Sequence, residues 1–315
     1  MKYSVVFPGQ GAQEVGMGKD LWSSYASARE VFERADAALN FPLSRIIFEG
    51  PEDELKKTEF AQPAILTMSM AVFRSIEIDE GISFKPAYVA GHSLGEYTAL
   101  VASGTLSLED GVRLVHLRGK LMQEAVPLGK GSMAAIIGLE KDKVTAICEA
   151  VVSLGVCQAA NFNAPGQIVI SGETEAVERA VLLCREAGAK RALPLKVSAP
   201  FHCTLMRSVA DRLRISFPDF SWNTPSWPLV ANVSARIESD VSSIQNALFQ
   251  QTFMPVLWFD SIEYMMTQGV GRFLEIGPGS VLAGLIKRIN PQAVCFSVNS
   301  SNSIPGAIDF LKGGQ

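Results

Sequence analysis

Histidine is scarce in this chain: three residues in 315, at His92, His116 and His202. Any imidazole chemistry must use one of them. Charge is thin as well, at 19% of residues with a net of −4, and no run of Lys and Arg occurs. That argues against a nucleic-acid surface, which needs a basic patch. No apolar stretch reaches the roughly 20 residues of a membrane-spanning helix, so no membrane partner is expected. Met1-Lys2-Tyr3 leads straight into a strand pattern, and no signal peptide is expected there. The five cysteines (Cys148, Cys157, Cys184, Cys203 and Cys295) contain no C-x-x-C pair. They read as reduced thiols of a cytoplasmic protein, with neither a disulfide frame nor a metal site. Internal repeats and low-complexity tracts are absent.

Apolar residues are plentiful, at 48%, enough for one large domain or two. The most informative stretch is Tyr88-Val89-Ala90-Gly91-His92-Ser93-Leu94-Gly95-Glu96. A short apolar strand enters Gly-x-Ser-x-Gly, and a helix-like run follows: the pattern of a nucleophile elbow. Side chains at the two glycines would collide in so tight a turn. Ser93 would stand at the strand end, beside a helix N-terminus whose free N–H groups suit a developing oxyanion.

Residues 3–7 read as a buried strand, followed by the loop Pro8-Gly9-Gln10-Gly11-Ala12-Gln13. This loop lacks the Gly-Lys-Ser/Thr of a P-loop and the third glycine of a dinucleotide turn. Its glycines would instead let backbone N–H groups approach a substrate. Helices are expected over 20–40, from 52, over 64–80 after Gln62-Pro63, and from a capped start at Ser107 to about 126. On the last, Gly111, Val115, Arg118 and Met122 fall on one stripe, flanked by Leu114 and Leu121. Arg118 is thus central to an apolar face, a costly place for a guanidinium unless an anion meets it. That anion is either an internal Asp or Glu or a ligand carboxylate gripped by two hydrogen bonds.

After the linker-like Pro127-Leu128-Gly129-Lys130-Gly131 comes a β-α-β-β-α-β pattern: strand 132–139, helix 141–154, strands 156–161 and 167–171, helix 173–187, strand 192–197. Asn163 is placed in the turn between the two middle strands, where Asn tolerates left-handed geometry. The order is ferredoxin-like. The expected fold is therefore α/β: a large hydrolase-like domain, residues 1–128 and 198–315, with a mostly parallel sheet, and a small ferredoxin-like domain inserted at 129–197. Strands at 227–233, 272–276 and 293–298 and helices at 205–215, 242–251, 260–268 and 281–289 complete the large domain.

An elbow serine needs a base within reach. His92 is its chain neighbour, and adjacent side chains diverge, so His92 lines the pocket at most. His116 lies mid-helix and reads as an ordinary, partly exposed residue. His202 follows Pro200-Phe201 in an irregular segment, where catalytic groups are commonly carried, and is the best candidate. No acidic residue stands in a telling place to complete a triad. A backbone carbonyl can also hold the imidazole tautomer, which suits transfer of a thioester-bound acyl group.

Phe7-Pro8-Gly9-Gln10-Gly11-Ala12-Gln13, Gly91-His92-Ser93-Leu94-Gly95-Glu96, Arg118-Gly119-Lys120-Leu121-Met122, Asn163-Ala164-Pro165-Gly166-Gln167, Ala199-Pro200-Phe201-His202 and Gln251-x-x-x-Pro255-Val256 occur in one order. In this the chain resembles the malonyl-CoA:acyl-carrier-protein transacylases of bacterial fatty-acid synthesis, over nearly its whole length. The resemblance implies Ser93 as nucleophile, His202 as base, and Arg118 as the grip on the malonyl carboxylate. It implies an oxyanion hole from the backbone N–H groups of Gln10 and Leu94, and the Gln251 carbonyl as the group orienting His202. Asn163, His92 and Phe201 would line the pocket, Phe201 as a wall against branched acyl groups. No cofactor is implied; the partners are malonyl-CoA and acyl-carrier protein, and a monomer is expected. The alternatives are a serine hydrolase or thioesterase on the same elbow, an acyltransferase serving a polyketide synthase in trans, and a non-catalytic docking module.

Overall fold

A computed structural model describes residues 2–127, 129–195, 197 and 199–313. Strand β1 (Lys2–Phe7) is followed by helices α1 (Lys19–Ser24) and α2 (Ala26–Leu39), separated by the extended residue Tyr25 where one continuous helix over 20–40 is expected. Next come α3 (Leu43–Glu49), α4 (Glu52–Leu55) and α5 (Thr58–Arg74), which ends in a π turn over Ser75–Asp79. Strand β2 (Tyr88–Gly91) runs into α6 (Leu94–Ala102), and α7 (Leu108–Glu124) starts at Ser107, whose side chain accepts from the Asp110 N–H. The next block is β3 (Gly131–Ile137), α8 (Lys141–Ala150), β4 (Cys157–Ala164), β5 (Gln167–Glu173), α9 (Thr174–Glu186) and β6 (Arg191–Pro194). Helix α10 (Arg207–Ser216), strands β7 (Leu229–Val230) and β8 (Ile237–Glu238), α11 (Val241–Gln251), α12 (Trp258–Thr267), β9 (Val270–Ile276), α13 (Val281–Ile289), β10 (Val294–Val298) and α14 (Ile304–Leu311) complete the chain.

Six strands form one sheet in the order β10-β9-β1-β2-β7-β8, parallel except at β8. Its central strands are covered on both faces, which is why Val5, Val6 and Phe7 follow one another on β1 without polar alternation. Val5 and Phe7 pack with residues of α2, α5 and α7, whereas Val6 and Ala90 face Trp258, Ile262 and Ile286 on α12 and α13. The second sheet is antiparallel, in the order β4-β5-β3-β6, and carries α8 and α9 over a core of its own that includes Ile136, Ile170 and Ala180. The sequence expectation of a mostly parallel sheet plus a ferredoxin-ordered one agrees with this topology. Leu128 and Ser198, at the expected domain boundaries, lie outside the described residues. Strand β4 is tied to the segment between α11 and α12, where Phe162 N–H donates to Val256 C=O and Val256 N–H to Ala160 C=O, at 2.9 Å each. Among the described residues, no helix is long and apolar enough to cross a membrane.

Besides the split helix over 20–40, three expectations need correction. The strand expected at 227–233 shrinks to Leu229–Val230, because Ala231 turns back to pair with Arg236 and Asn232 leaves the sheet. Asn163 lies on β4, and the turn is Pro165-Gly166, with Gly166 at φ 63°. The helix expected from residue 64 begins at Thr58 and carries Pro63 inside it. Proline has no N–H for the carbonyl four residues back, here Glu59. His116 Nδ1 donates to that carbonyl at 2.8 Å, and its ring rests among Phe41 and Phe60. The helix survives its proline because a side chain from α7 supplies the missing donor.

His116→Ala should therefore cost about 1–3 kcal/mol in urea unfolding, the price of an unpaired carbonyl. Pro63→Ala restores the N–H, so the same His116 change should cost markedly less in that background. Equal losses in the two backgrounds would show that the ring packing alone matters.

Candidate active site

Strand β2 delivers Ser93 to the elbow at φ 52°, ψ −102°, a strained angle for a residue with a side chain. A Cβ on Gly91 would fall 1.9 Å from the Gly95 carbonyl carbon, and one on Gly95 would fall 2.1 Å from Phe7 O. Both glycines are obligatory. The turn is clamped from outside: Ser93 N–H donates to Asn232 Oδ1 (2.7 Å), Asn232 Nδ2 donates to Gly91 O (2.7 Å), and Gln251 Nε2 donates to Ser93 O (2.9 Å). Asn232 N–H in turn donates to Glu96 Oε2 at 2.8 Å.

His202 lies between β6 and α10, itself at φ 57°. Its Nε2 is 2.7 Å from Ser93 Oγ and its Nδ1 is 2.7 Å from the Gln251 backbone carbonyl. A carbonyl only accepts, so Nδ1 carries the proton and Nε2 is free to take one from the serine. Gln251 is the last residue of α11, where carbonyls lack helical partners and carry the negative end of the helix dipole. Burial, reinforced by the Arg118 charge, lowers the His202 pKa to about 3. The ring is neutral throughout the physiological range.

Arg118 is 1% exposed. Its Nη1 donates to Gln62 Oε1 (2.9 Å), and its Nη2 donates to Ser93 Oγ (3.1 Å) and Gln251 Oε1 (3.0 Å). The guanidinium carbon is 5.1 Å from the Tyr97 ring centre, and Nε has no partner among the described residues. No carboxylate lies within ion-pairing distance among those residues, so the internal salt bridge considered from the sequence is not formed. Burial is the main cause of its lowered pKa. Neutral acceptors alone surround a buried cation that touches the serine oxygen.

The cavity in front of Ser93 has a volume of about 370 Å³, lined among others by Gln10, Leu94, Arg118, Met133, Phe201 and His202. Leu94 is the first residue of α6 and Gln10 follows β1, so their N–H groups belong to a helix start and a loop, with no partner among the described residues. His92 does not approach the serine oxygen as a base. Its Nε2 pairs with Asn163 Oδ1 at 2.8 Å, tying the elbow to β4, and burial lowers its pKa. Asn161, Asn232, Glu96 and Gln62 escaped the sequence reading as site residues. Asn161 and Gln62 line the cavity, and Asn232 and Glu96 hold its walls. No group of three or more His, Cys, Asp or Glu side chains among the described residues could hold a metal.

The family model for the acyl transferase domain matches residues 4–300. The malonyl CoA-acyl carrier protein transacylase of Escherichia coli strain K12 is 47% identical over 309 residues, covering 98% of this chain and 99% of the relative. The crystal structure of an acyl-carrier-protein S-malonyltransferase from Bartonella henselae is 48% identical, with a TM-score of 0.97 over 99% of this chain and 100% of that one. A malonyl-transacylase solved in complex with a holo type II polyketide acyl-carrier protein is 44% identical, with a TM-score of 0.95 over 100% of both chains.

The buried neutral imidazole has a consequence for stability. His202 stays unprotonated in the folded protein down to about pH 3, whereas an unfolded histidine takes up its proton near 6.5. Between these values the unfolded chain binds more protons, so stability falls as the pH drops through that window. The urea midpoint should decline less steeply between about pH 6.5 and pH 4.5 in His202→Gln than in the parent. Parallel slopes would count against a neutral buried His202.

Proposed function

The chain belongs to the acyl transferase domain family, and from that premise we propose that it transfers malonyl from malonyl-CoA to the phosphopantetheine thiol of acyl-carrier protein. The observation that carries the reading is the position of Ser93 Oγ, bonded at once to the neutral nitrogen of His202 and to a buried arginine that meets no carboxylate. A hydrolase for neutral esters has no use for such an arginine. The partner assignment draws on the relative solved with its carrier protein, and fatty-acid synthesis is the pathway this reading assigns.

In the proposed reaction the free malonyl carboxylate docks on Arg118, exchanging neutral acceptors for a charged one. The thioester oxygen points to the Gln10 and Leu94 N–H groups, an arrangement aimed at where negative charge develops. Ser93 Oγ attacks the thioester carbon and passes its proton to His202 Nε2. The tetrahedral oxyanion collapses, the C–S bond breaks, and coenzyme A leaves as the thiol with the proton from His202. The second half runs in reverse: the carrier thiol gives its proton to His202, its sulfur attacks the malonyl-serine ester, and Ser93 recovers the proton. A thiolate is a good leaving group at moderate pKa, so a dyad oriented by a carbonyl suffices. The scheme requires no metal or redox cofactor. Residues 129–197 act as an inserted domain walling the cleft, with Met133, Leu195 and Val197 lining it and Phe201 limiting bulk beside the acyl group. Every group used comes from one chain, which suits a monomer, and the free cysteines suit the cytoplasm.

Intact-mass spectrometry after incubation with malonyl-CoA should show one malonyl adduct on the parent and none on Ser93→Ala. A normal adduct on that variant sinks the assignment. Arg118→Ala should lose its preference for malonyl- over acetyl-CoA by more than about tenfold, since a charged, two-pronged hydrogen bond contributes roughly 1.5–3 kcal/mol or more. Unchanged selectivity would remove Arg118 from substrate recognition.

A further inference from the structure

Among the described residues Arg118 meets no carboxylate directly, yet one reaches it at a single remove. Gln251 accepts from Arg118 at Oε1 (3.0 Å) and donates from Nε2 to Glu96 Oε2 (3.2 Å). The carboxamide is an amide bridge between a buried cation and a fully buried carboxyl group. Glu96 Oε2 also accepts from Asn232 N–H, while Glu96 Oε1 is buried and has no partner among the described residues. Burial pushes the Glu96 pKa up to about 7, against the pull of its hydrogen bonds and of Arg118. The charged groups facing it are Arg118 on α7 and Glu238 on β8, the latter opposing ionisation; Tyr97, on its own helix, stays neutral with a pKa raised to about 12. Asn232 and Gln251, from the remaining neighbours, are uncharged.

We propose that Glu96 is the resting counter-anion of Arg118, and that the carboxylate of an arriving malonyl group replaces it in that role, so that substrate binding takes up a proton at Glu96. The proposal rests on the malonyl-transfer reading. With a substrate carboxylate on the guanidinium, two carboxylates would share one cation away from water, and like charges in one site cannot both stay ionised without cost. The malonyl group is bound through its charge, so Glu96 is the group that protonates. The proton comes from solvent and lands on Oε1, which gives up no bond. Oε2 keeps both of its hydrogen bonds, so Gln251 and the carbonyl that orients His202 stay in place. An acetyl group brings no charge and leaves Glu96 as it was. Glu96 touches no substrate and acts through Gln251; it is a positioning residue.

The test is calorimetric titration of Ser93→Ala, which cannot turn over, with malonyl-CoA and acetyl-CoA at about pH 8 in buffers of different ionisation enthalpy. The difference between the ligands cancels protons belonging to the coenzyme phosphates. Malonyl-CoA should take up close to one proton more than acetyl-CoA, and this excess should vanish when Glu96→Gln is added. Equal proton counts overturn the proposal, as does an excess that persists in Glu96→Gln. In the unmutated enzyme, KM for malonyl-CoA should climb towards tenfold per pH unit above about pH 7, while KM for acetyl-CoA shows no matching rise. A flat malonyl profile overturns the proposal whether or not the Glu96 variant folds. Failure of malonyl-CoA to bind would sink the malonyl-transfer reading and this proposal with it; binding without proton uptake sinks this proposal alone.

Discussion

The peptide at Ser93 is held at φ 52° by hydrogen bonds that come from outside the elbow. Asn232 takes its N–H and Gln251 takes its carbonyl, while Asn232 also grips Gly91 on the far side of the turn. A strained non-glycine backbone costs of order 1–3 kcal/mol. Each buried hydrogen bond returns about 0.5–1.5 kcal/mol net, so three of them are of the size needed to keep the turn in place. The same contacts set the height of the serine oxygen above the sheet. His202 can therefore meet it at 2.7 Å only because Gln251, which holds the serine carbonyl with its side chain, also holds the imidazole with its backbone. The proposed nucleophile and the proposed base are referenced to one residue.

Arg118 adds a second demand, that a cation be buried without being neutralised. Neutral oxygens of Gln62, Gln251 and Ser93 meet it, and the Tyr97 ring lies beside it. Gln62 is available only because α5 continues through Pro63, and α5 continues there because His116 takes the Glu59 carbonyl. A histidine far from the serine thus bears on the arginine through helix continuity. This ordering of effects runs from backbone accounting to the setting of the Arg118 guanidinium.

Much of this is legible in the sequence, and the limits have physical reasons. The elbow is readable because its glycines are forced by backbone clearance, and Arg118 because a guanidinium on an apolar stripe contradicts its surroundings. The alternation of strands and helices is enough to separate the parallel sheet from the ferredoxin-ordered one. Asn232 leaves no such mark: an amide that satisfies backbone groups in a tight turn looks like any loop asparagine. The proline inside α5 reads as a helix start because the donor that rescues the helix is 53 residues further on, at position 116. Asn163 reads as a turn residue because Pro165-Gly166 follows it closely, although the turn needs only those two. The Gln251 side chain is hidden for another reason, since a resemblance that assigns a backbone carbonyl says nothing about the carboxamide.

Among the described residues a backbone carbonyl, and no third acid, meets His202 Nδ1. The Gln251 backbone carbonyl stands where a triad carboxylate would stand, while the side chain of the same residue is 3.0 Å from the Arg118 Nη2. A carboxylate in place of that carboxamide would form a direct ion pair with the guanidinium. Breaking such a buried pair to admit a substrate carboxylate would leave an unpaired charge, a loss of several kcal/mol. An amide avoids that conflict. It accepts from Arg118 weakly enough to be exchanged, and it joins the guanidinium to Glu96 one residue further away. In the proposed reaction the leaving group is a thiolate, which asks little of the base, so the weaker dyad is tolerable. On the proposed reading, the amide at position 251 and the selection of an anionic acyl group answer one requirement: no carboxylate may touch Arg118 before the substrate does.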